Sequence, residues 1–550
     1  MLARWLAAIA VVLSFPSIST GLQVDDLLHK AALRHIEPYA DFVRTPLQLF
    51  TFFDGDPART NRLIANGVFA WWTGPTLRLS FFRPLAAATH WLDHRLWADS
   101  PWLMHVHSYL WVALSVWIAT SLYRRLLGPM WIAGLAALMF AVHDAHAIPY
   151  AWIANRNAVI ALSFGLLSLI AHRKRAMPLA ALSFALALAA GESALATVGF
   201  LVGHTLFLEE DTGRAKRLLW YVPVLAAWVY LYKHYGFGVA GSAMYIDPGH
   251  DPLRFAESAI ERLPLLAVAN IVAAPVDGAF LFPPRVYLAF VALSWVVTLI
   301  VVWWLAPIVR ARRTAKFFAF GTVLALVPAC ATVPSGRLLM FSTFGAMGLF
   351  AEAIAYGPRG PARVVIAVRL WLAPLLLIVG NFTMAAAGIL VTRFAASIPN
   401  DPALVDQDLI LVTCFDAAGS GYVDLKRRIA GLPVAQHTHV MAVGDRDVSV
   451  ARIDERTLVV RPRGGFLADK FSRIFRGARF VVGERIVWSH AVIEVLELTA
   501  DGRAAAARFT FDEPLESSRF RWMKFEGPAL APFVLPAVGQ TVVVPPGKLF

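Results

Sequence analysis

Apolar segments close to twenty residues long recur along the first 392 residues, and they constrain the fold more than any other feature of the chain. Segments of that length match the thickness of the hydrocarbon core of a bilayer. Hydrophobic residues make up 58% of the 550 residues and charged residues 16%, whereas a soluble domain has about 25% charged residues. The chain is therefore predicted to be an integral membrane protein. Its net charge of +13 does not indicate a nucleic-acid partner.

The apolar segments predict about eleven transmembrane helices. They lie at 5–18, 106–122, 130–148, 158–171, 177–190, 193–208, 218–235, 286–308, 317–333, 338–355 and 370–391. The first segment is also compatible with a signal peptide. A further apolar stretch, 263–284, is interrupted by proline and glycine, so it is predicted to be a re-entrant or interfacial segment.

Basic residues are distributed unevenly among the short loops between these segments. Alternate loops carry Arg4, Arg124, Arg125, Arg173, Lys174, Arg175, Arg214, Lys216, Arg217, Arg310, Arg312, Arg313, Lys316, Arg359, Arg363 and Arg369. The opposite turns hold few basic residues, such as Arg156 and Arg337. Because Lys and Arg in short loops stay in the cytoplasm, we expect a cytoplasmic N-terminus. The loops 21–105 and 236–262 and the chain after 392 are then extracytoplasmic.

The composition changes after residue 392, where short β-type runs replace the long apolar segments. Residues 1–392 are predicted to form the membrane domain, 393–408 a linker, and 409–550 a small β-rich extracytoplasmic domain. The clearest element is a β-hairpin, because the runs 491–499 and 504–511 flank a short turn that contains glycine.

Four short motifs fall on the predicted outer side of the membrane. They are Arg83-Pro84 with the aromatic-rich stretch to His105, His143-Asp144-Ala145-His146 with Trp152 and Arg156, Glu192-Ser193-Ala194-Leu195, and Arg337 to Gly345. In order and spacing they resemble motifs of the GT-C glycosyltransferases. The resemblance is greatest to the membrane protein O-mannosyltransferase-like proteins that often carry tetratricopeptide repeats, although no such repeats follow here.

This resemblance implies an α-helical, GT-C-like membrane fold and a sugar donor linked to polyprenyl phosphate. It also implies that an acidic residue in the first outer loop acts as the general base. Asp25 and Asp26 are the candidates, with Asp25 preferred. The chemistry agrees with this role, because an acceptor hydroxyl that attacks an anomeric carbon must lose its proton.

The departing phosphate needs cations or hydrogen-bond donors near it. The predicted outer helix ends offer Arg83, Arg337, Arg156, His143 and His146 for this role. Glu192 is a further candidate site residue. No metal site is predicted and the cofactor requirement is left open.

The hydropathy pattern together with the resemblance predicts an integral membrane glycosyltransferase in a bacterial cytoplasmic membrane. Its partners would be membrane lipid, a polyprenyl-phosphate-linked sugar, and a glycan, lipid or protein acceptor. Two alternatives remain open. One is a catalytically silent GT-C-like scaffold, because the chain departs from the family pattern at Asp144 and Ala158. The other is a polytopic transporter or lipid flippase, although the charges cluster at helix ends rather than at helix midpoints.

Overall fold

The structure is a computed structural model, which describes residues 1–39, 45–274, 276–416, 419–469 and 471–547. Most of its regular structure is helical. The α-helices are α1 (Leu2–Ser14), α2 (Asp25–Leu33), α3 (Pro57–Ala65), α4 (Pro84–Trp97), α5 (Pro101–Leu126), α6 (Met130–Ala141), α7 (Ala147–Ala151), α8 (Arg156–Arg173), α9 (Met177–Ala190), α10 (Ala196–Phe207), α11 (Arg214–Leu218), α12 (Tyr221–His234), α13 (Pro252–Val272), α14 (Pro284–Ala311), α15 (Arg313–Ala329), α16 (Met340–Tyr356), α17 (Arg359–Ala367), α18 (Ala373–Ser397) and α19 (Gly419–Ile429).

A helix occupies each of the eleven predicted membrane segments, but fewer of them are long enough to span a bilayer as single helices. Five continuous helical stretches among the described residues meet both the length and the hydropathy that a span requires. They are Leu2–Ser19, Pro101–Leu126, Ile153–Arg173, Pro284–Ala311 and Arg359–Ser397. A sixth span results if α6 and Asp144–Ala151, which meet at a bend of 45°, are counted together. The predicted number of eleven is therefore not confirmed.

The outer surface of α14 shows why these helices belong in a lipid environment. Leu293, Val296, Leu299, Ile300 and Trp303 are all largely exposed. A soluble protein rarely leaves so many large apolar side chains uncovered on one helix. Within a helix the backbone also satisfies its own hydrogen bonds, as hydrocarbon surroundings demand.

The basic loops meet at one end of the helical domain. Arg173 donates to the backbone oxygen of Arg125 over 3.1 Å, Arg175 pairs with Asp211 at 2.7 Å, and Arg313 pairs with Glu210. The loops that the charge pattern groups together are therefore neighbours in space. Arg369 is an exception, because it is buried within the long helical stretch Arg359–Ser397 rather than exposed in a loop.

The apolar stretch predicted to be re-entrant has a different starting point from the one expected. Helix α13 begins at Pro252, continues through Pro264 and ends at Val272. The chain then changes direction at Ala273, whose φ is +54°, and a short 3₁₀ turn, Val276–Leu281, leads to α14.

The C-terminal region contains two sheets. The β-strands of the chain are β1 (Thr51–Asp54), β2 (Arg78–Ser80), β3 (Gly238–Ala240), β4 (Asp408–Cys414), β5 (His437–Val443), β6 (Val448–Arg452), β7 (Thr457–Pro462), β8 (Arg485–Val487), β9 (Ala491–Leu498), β10 (Ala504–Phe511), β11 (Phe520–Glu526), β12 (Ala529–Pro532) and β13 (Thr541–Val544). One sheet has the order β13-β6-β7-β10-β9-β8 and the other β12-β11-β4-β5. The predicted hairpin is confirmed, because β9 and β10 pair in antiparallel register.

Helix α19 was not predicted from the sequence. It lies between β4 and β5, which are parallel neighbours. Parallel strands cannot be joined by a tight turn and need a crossover connection, and α19 forms part of that connection. The helix packs against α2 and α18 as well as against the sheet. It therefore joins the C-terminal region to the membrane helices.

The loop 21–105, predicted to be extracytoplasmic, also packs into the C-terminal region. Trp71 and Trp72 lie in the same apolar core as β4, β10 and β11. The indole Nε1 of Trp71 donates to the backbone oxygen of Met441 over 3.1 Å. A small sheet, β1-β2-β3, joins this loop to the loop that follows α12. The loop 21–105 and the C-terminal region thus share one core.

Candidate active site

A cavity of about 720 Å³ lies where the loops 21–105 and 236–262, the membrane helices and the C-terminal region meet. Its membrane side includes Leu195, Phe341 and Val391, and its C-terminal side includes Phe415, Tyr422 and Phe475. The charged side chains in its wall are Asp25, Arg83, Glu192, Lys233, Asp247, Arg337, Asp416 and Lys426. A volume of this size accommodates a ligand much larger than a few waters.

Asp25 is the first residue of α2 and lies in the cavity wall. Among the described residues it forms no hydrogen bond or ion pair of its own. Burial raises the pKa of its carboxyl to about 6, against the opposing effects of Arg337 and Arg83. Asp25 is therefore ionised near neutral pH and has an oxygen free to accept a proton.

Asp26, in contrast, is directed away from the cavity and is almost fully buried. One carboxylate oxygen accepts a hydrogen bond from the backbone N–H of Gln23 at 3.0 Å, and the other accepts one from Ala154 at 2.6 Å. Burial raises its pKa to about 8, so Asp26 ionises after Asp25. The structure therefore gives Asp26 a positioning contact between the start of α2 and the segment before α8, and no contact with the cavity.

Arg83 and Glu192 form one charged unit in the cavity wall. The Nε of Arg83 donates to Glu192 Oε2 over 2.8 Å, and the backbone N–H of Phe82 donates to Oε1 over 3.1 Å. The guanidinium also lies 4.5 Å from the ring centre of Phe81. These contacts hold Arg83 in place beside Asp25. Two of the predicted site residues, from distant motifs, are thus direct partners.

Arg337 reaches the cavity from the segment between α15 and α16. Its guanidinium donates to the Tyr245 hydroxyl over 3.4 Å and lies 5.7 Å from the ring of Trp152. No carboxylate neutralises it through a direct ion pair among the described side chains. Arg337 is therefore a cation available to an anionic ligand in the cavity.

Arg156 does not lie in the cavity wall, so its predicted contact with a donor phosphate is not supported. Its side chain is fully buried and forms an ion pair with Asp93 at 2.6 Å. It also donates to the Ser108 hydroxyl over 2.9 Å and to the backbone oxygen of Met104 over 2.8 Å. These partners occupy the guanidinium, which joins α4, α5 and α8.

His143 and His146 are also buried away from the cavity, contrary to the prediction. His143 Nε2 faces the guanidinium of Arg369 at 3.0 Å, and Arg369 pairs with Asp144 at 2.8 Å. His146 lies between Tyr150 and Thr343 at 3.1 Å from each hydroxyl. The two imidazoles therefore stabilise the bend after α6, and they do not reach a ligand in the cavity.

The structure adds site residues that no sequence motif indicated. Lys233, at the end of α12, pairs with Asp247 at 3.4 Å, and both line the cavity. Tyr422 and Lys426 enter the wall from α19. These residues come from separate segments that meet only in the folded chain, so no local pattern could have revealed them.

Several polar atoms in the cavity wall have no hydrogen-bond partner among the described residues. They are Thr73 Oγ1, Trp152 Nε1, Asn155 Oδ1, Asn157 Oδ1 and Ser193 Oγ. A buried polar atom that lacks a partner is costly. Their grouping in one wall is typical of a site that binds a polar ligand. The two clusters of His and carboxylate side chains among the described residues lie elsewhere.

No protein-family model matches the chain. A segment of 93 residues is 36% identical to human protein O-mannosyl-transferase TMTC2, covering 17% of this chain and 11% of that protein. Two crystal structures of ArnT from Cupriavidus metallidurans, bound to undecaprenyl phosphate and in the apo state, are 14% and 12% identical. Each covers 78% of this chain, and they cover 84% and 88% of the ArnT chain with TM-scores of 0.34 and 0.38. The local similarity to TMTC2 agrees with the resemblance to protein O-mannosyltransferase-like membrane proteins that the motifs indicate.

Proposed function

We propose that the chain is an integral membrane glycosyltransferase that transfers a sugar from a polyprenyl-phosphate donor to an acceptor at the outer face of a bacterial cytoplasmic membrane. The observation that carries this proposal is that Asp25 and Arg337 both line one large cavity beside the membrane helices. A free carboxylate and an uncompensated cation are the two groups that such a transfer needs. The local similarity to an O-mannosyl-transferase supports the same reaction class.

In the proposed reaction Asp25 takes the proton of the acceptor hydroxyl as its oxygen bonds to the anomeric carbon. The bond between that carbon and the donor phosphate oxygen breaks at the same time, and the electron pair leaves with the phosphate. Arg337 stabilises the negative charge that remains on the polyprenyl phosphate. Arg83, which Glu192 holds in place, contributes a second positive charge.

The two walls of the cavity suit the two substrates differently. Leu195, Phe341 and Val391 offer an apolar surface on the membrane side, against which a prenyl chain would pack. Tyr422 and Lys426 offer hydroxyl and ammonium groups on the C-terminal side, where the acceptor would bind. The C-terminal region therefore positions the acceptor in this proposal.

The decisive experiment measures the transfer of radiolabelled sugar from polyprenyl-phosphate donors in membranes that contain the wild type, Asp25→Asn or Asp99→Asn. Asp99 is a matched control, because it lies in the same outer loop but is exposed and paired with Lys30 and Arg34. We expect Asp25→Asn to lose at least about a hundredfold in rate and Asp99→Asn to keep full activity. The folded amount of each variant is measured by its monodisperse fraction in detergent.

The other outcomes separate the alternatives. Equal transfer by Asp25→Asn and the wild type would contradict the proposed base. Absence of transfer with every donor by a folded wild type would instead favour the silent scaffold. Movement of a fluorescent lipid across proteoliposomes, without transfer, would favour the flippase.

A further inference from the structure

A cluster of two histidines and a glutamate lies at the end of α8 that is farther from the cavity. His172 near the end of α8, His204 near the end of α10, and Glu209 just beyond α10 converge there. Sixteen residues of helix separate Arg156 from His172, so this cluster is about 24 Å from the start of α8. It is therefore separate from the candidate active site.

The spacing of the three ligand atoms fits a metal ion. His172 Nε2 lies 3.2 Å from Glu209 Oε1, and His204 Nδ1 lies 3.1 Å from the same oxygen. In a tetrahedral zinc site with bonds of about 2.0 to 2.1 Å, neighbouring ligand atoms are roughly 3.3 Å apart. The distances from Glu209 Oε1 to the two imidazole nitrogens are therefore already close to those between neighbouring ligands of a bound zinc ion.

One of these atoms also lacks a hydrogen-bond partner. His204 is 4% exposed, and its Nδ1 has no hydrogen bond of good geometry among the described residues. Although that nitrogen is close to Glu209, it does not donate a hydrogen bond to the carboxylate. A buried imidazole nitrogen that meets a carboxylate and a second imidazole in this way is oriented as a metal ligand.

The surroundings of His172 support the same conclusion. Its other ring nitrogen, Nδ1, lies 2.9 Å from the Tyr221 hydroxyl. A histidine that binds a metal through one nitrogen usually donates the other N–H to a neighbouring acceptor, which fixes the ring. The Tyr221 oxygen provides that acceptor, while the Thr205 hydroxyl lies 3.2 Å from Nε2, beside the ligand position.

Two arginines contact the cluster, and one of these contacts must change when a metal ion binds. Arg217 lies 3.1 Å from Glu209 Oε2, which leaves Oε1 for an ion. Arg173 contacts His204 Nε2 at 3.3 Å. When a metal occupies Nδ1, Nε2 carries the proton, so this contact with Arg173 must open. Arg173 keeps its second contact, to the backbone oxygen of Arg125.

We propose that His172, His204 and Glu209 form a binding site for Zn²⁺, with water in the fourth position. Two imidazoles and one carboxylate form a ligand set that zinc commonly uses. The ion would fasten the ends of α8 and α10 to the loop after α10. The opposite ends of these helices, at Asn157 and Ala196, line the cavity, so the zinc site would stabilise the frame of the active site from a distance. This inference does not depend on the proposed function.

A second cluster, Asp408, His437 and His490, provides a contrast. There Arg519 donates to Asp408 Oδ2 over 3.1 Å and also contacts His490 Nε2. The guanidinium thus occupies the place that a metal ion would take. We expect this cluster to hold no zinc, which makes it a matched control.

The test uses the full-length protein in detergent, stripped with a chelator, reloaded with Zn²⁺ and freed of excess metal. We expect about one zinc per chain by mass spectrometry of the metal, and a higher Tm for the reloaded protein than for the stripped protein. The variants His204→Ala and Glu209→Gln should lose both effects, whereas His437→Ala should keep them. Loading with Co²⁺ should give the visible absorption of a tetrahedral site in the wild type and in His437→Ala, and not in His204→Ala or Glu209→Gln.

Measurements on the wild type alone are enough to contradict the proposal, so the test does not depend on whether every variant folds. Zinc content well below one per chain after reloading, together with an unchanged Tm, would show that the cluster is an ordinary network of ion pairs. Full zinc content that persists in a folded His204→Ala but disappears in His437→Ala would assign the metal to the C-terminal cluster instead.

Discussion

Asp25 and Asp26 are neighbours in the chain, yet only Asp25 lies in the cavity wall. Near the start of α2 successive side chains point about 100° apart, so one carboxylate enters the cavity and the other is bonded by two backbone amides. Burial raises the pKa of Asp25 to about 6. A base must be ionised to accept a proton, and Asp25 is ionised only above that pH.

We therefore expect kcat/KM for sugar transfer to fall as the pH drops below about 6 and to approach tenfold per pH unit at lower pH. Above that value the rate should reach a plateau with respect to this group. Transfer assays between about pH 5 and pH 8, at acceptor concentrations well below KM, test this expectation. A rate that stays constant across the range would show that Asp25 is not the base.

Arg156 illustrates a buried charge with a structural role. Its ion pair with Asp93 is fully buried, and removing one partner leaves the other charge uncompensated. We expect Arg156→Met to lower the free energy of unfolding by about 3 to 5 kcal/mol. The double variant Arg156→Met with Asp93→Asn should recover part of this loss, because both charges are then gone. Urea unfolding in detergent gives both values.

A different result would restore the role that the sequence suggested for Arg156. If Arg156→Met unfolds like the wild type but needs much more donor to reach half its maximal rate, then the guanidinium binds donor phosphate. The present contacts favour stability, because Arg156 is surrounded by Asp93, Ser108 and Met104.

The sequence motifs indicated the end of the membrane domain at which the cavity lies more reliably than they indicated which side chains face it. Arg83, Glu192, Arg337 and Asp25 all line the cavity, because each motif follows or precedes an apolar segment and so lies at the same end of the membrane domain. The same reasoning selected His143, His146 and Arg156. The position of a residue along the chain indicates its depth in the membrane but not the direction of its side chain. These three side chains point into the helical domain and away from the cavity.

At the scale of helices and strands, hydropathy predicted the positions of the membrane helices well, whereas local propensity missed some elements of the C-terminal region. The bilayer requires helices wherever a long apolar segment crosses it, so each predicted segment contains one. Helix α19 was missed because its sequence begins with Gly-Ser-Gly and its stability comes from packing against α2, α18 and the sheet. The strand β5 was missed for a similar reason, since its partner β4 is parallel and distant in sequence.

Close packing between helices depends on a glycine in α8. A Cβ atom at Gly165 would lie 2.5 Å from Thr197 Oγ1 and 2.7 Å from the ring of Phe341. We expect Gly165→Ala to cost about 1 to 3 kcal/mol through this crowding. Gly360→Ala is the control, because Gly360 is helical and has no neighbour within 4 Å of such an atom. Thermal unfolding in detergent should show a lower Tm for the first variant only.

If Gly165→Ala kept the wild-type Tm, α8 would be able to move away from α10 and α16 without loss. The close approach of these helices would then be a consequence of the glycine and would not be needed for stability. In Gly360→Ala, alanine should raise or leave unchanged the Tm, since it favours an exposed helix more than glycine does.

For the whole molecule, the central contact is the one between the last membrane helix and the C-terminal region. Arg427 in α19 is 1% exposed. Its guanidinium donates to the backbone oxygens of Ala395 and Ile398 at 2.7 and 2.8 Å, and to that of Pro433 at 2.8 Å. The first two oxygens belong to the end of α18 and the residue after it, where a helix leaves carbonyl groups unpaired. One side chain therefore ends the helix and fixes the C-terminal region beside the cavity.

We expect Arg427→Met to weaken this junction by about 3 kcal/mol, since hydrogen bonds from a charged donor are worth about 1.5 to 3 kcal/mol each. An equilibrium opening of the junction would then become about a hundredfold more frequent. Limited proteolysis of the purified protein should cut the segment 398–407 correspondingly faster, because cleavage follows the population of the open form. Arg446→Ala is the control, as its ion pair with Asp445 is exposed. Equal cleavage of Arg427→Met and the wild type would mean that the shared core with Trp71 and Trp72 holds the two regions together without help from Arg427.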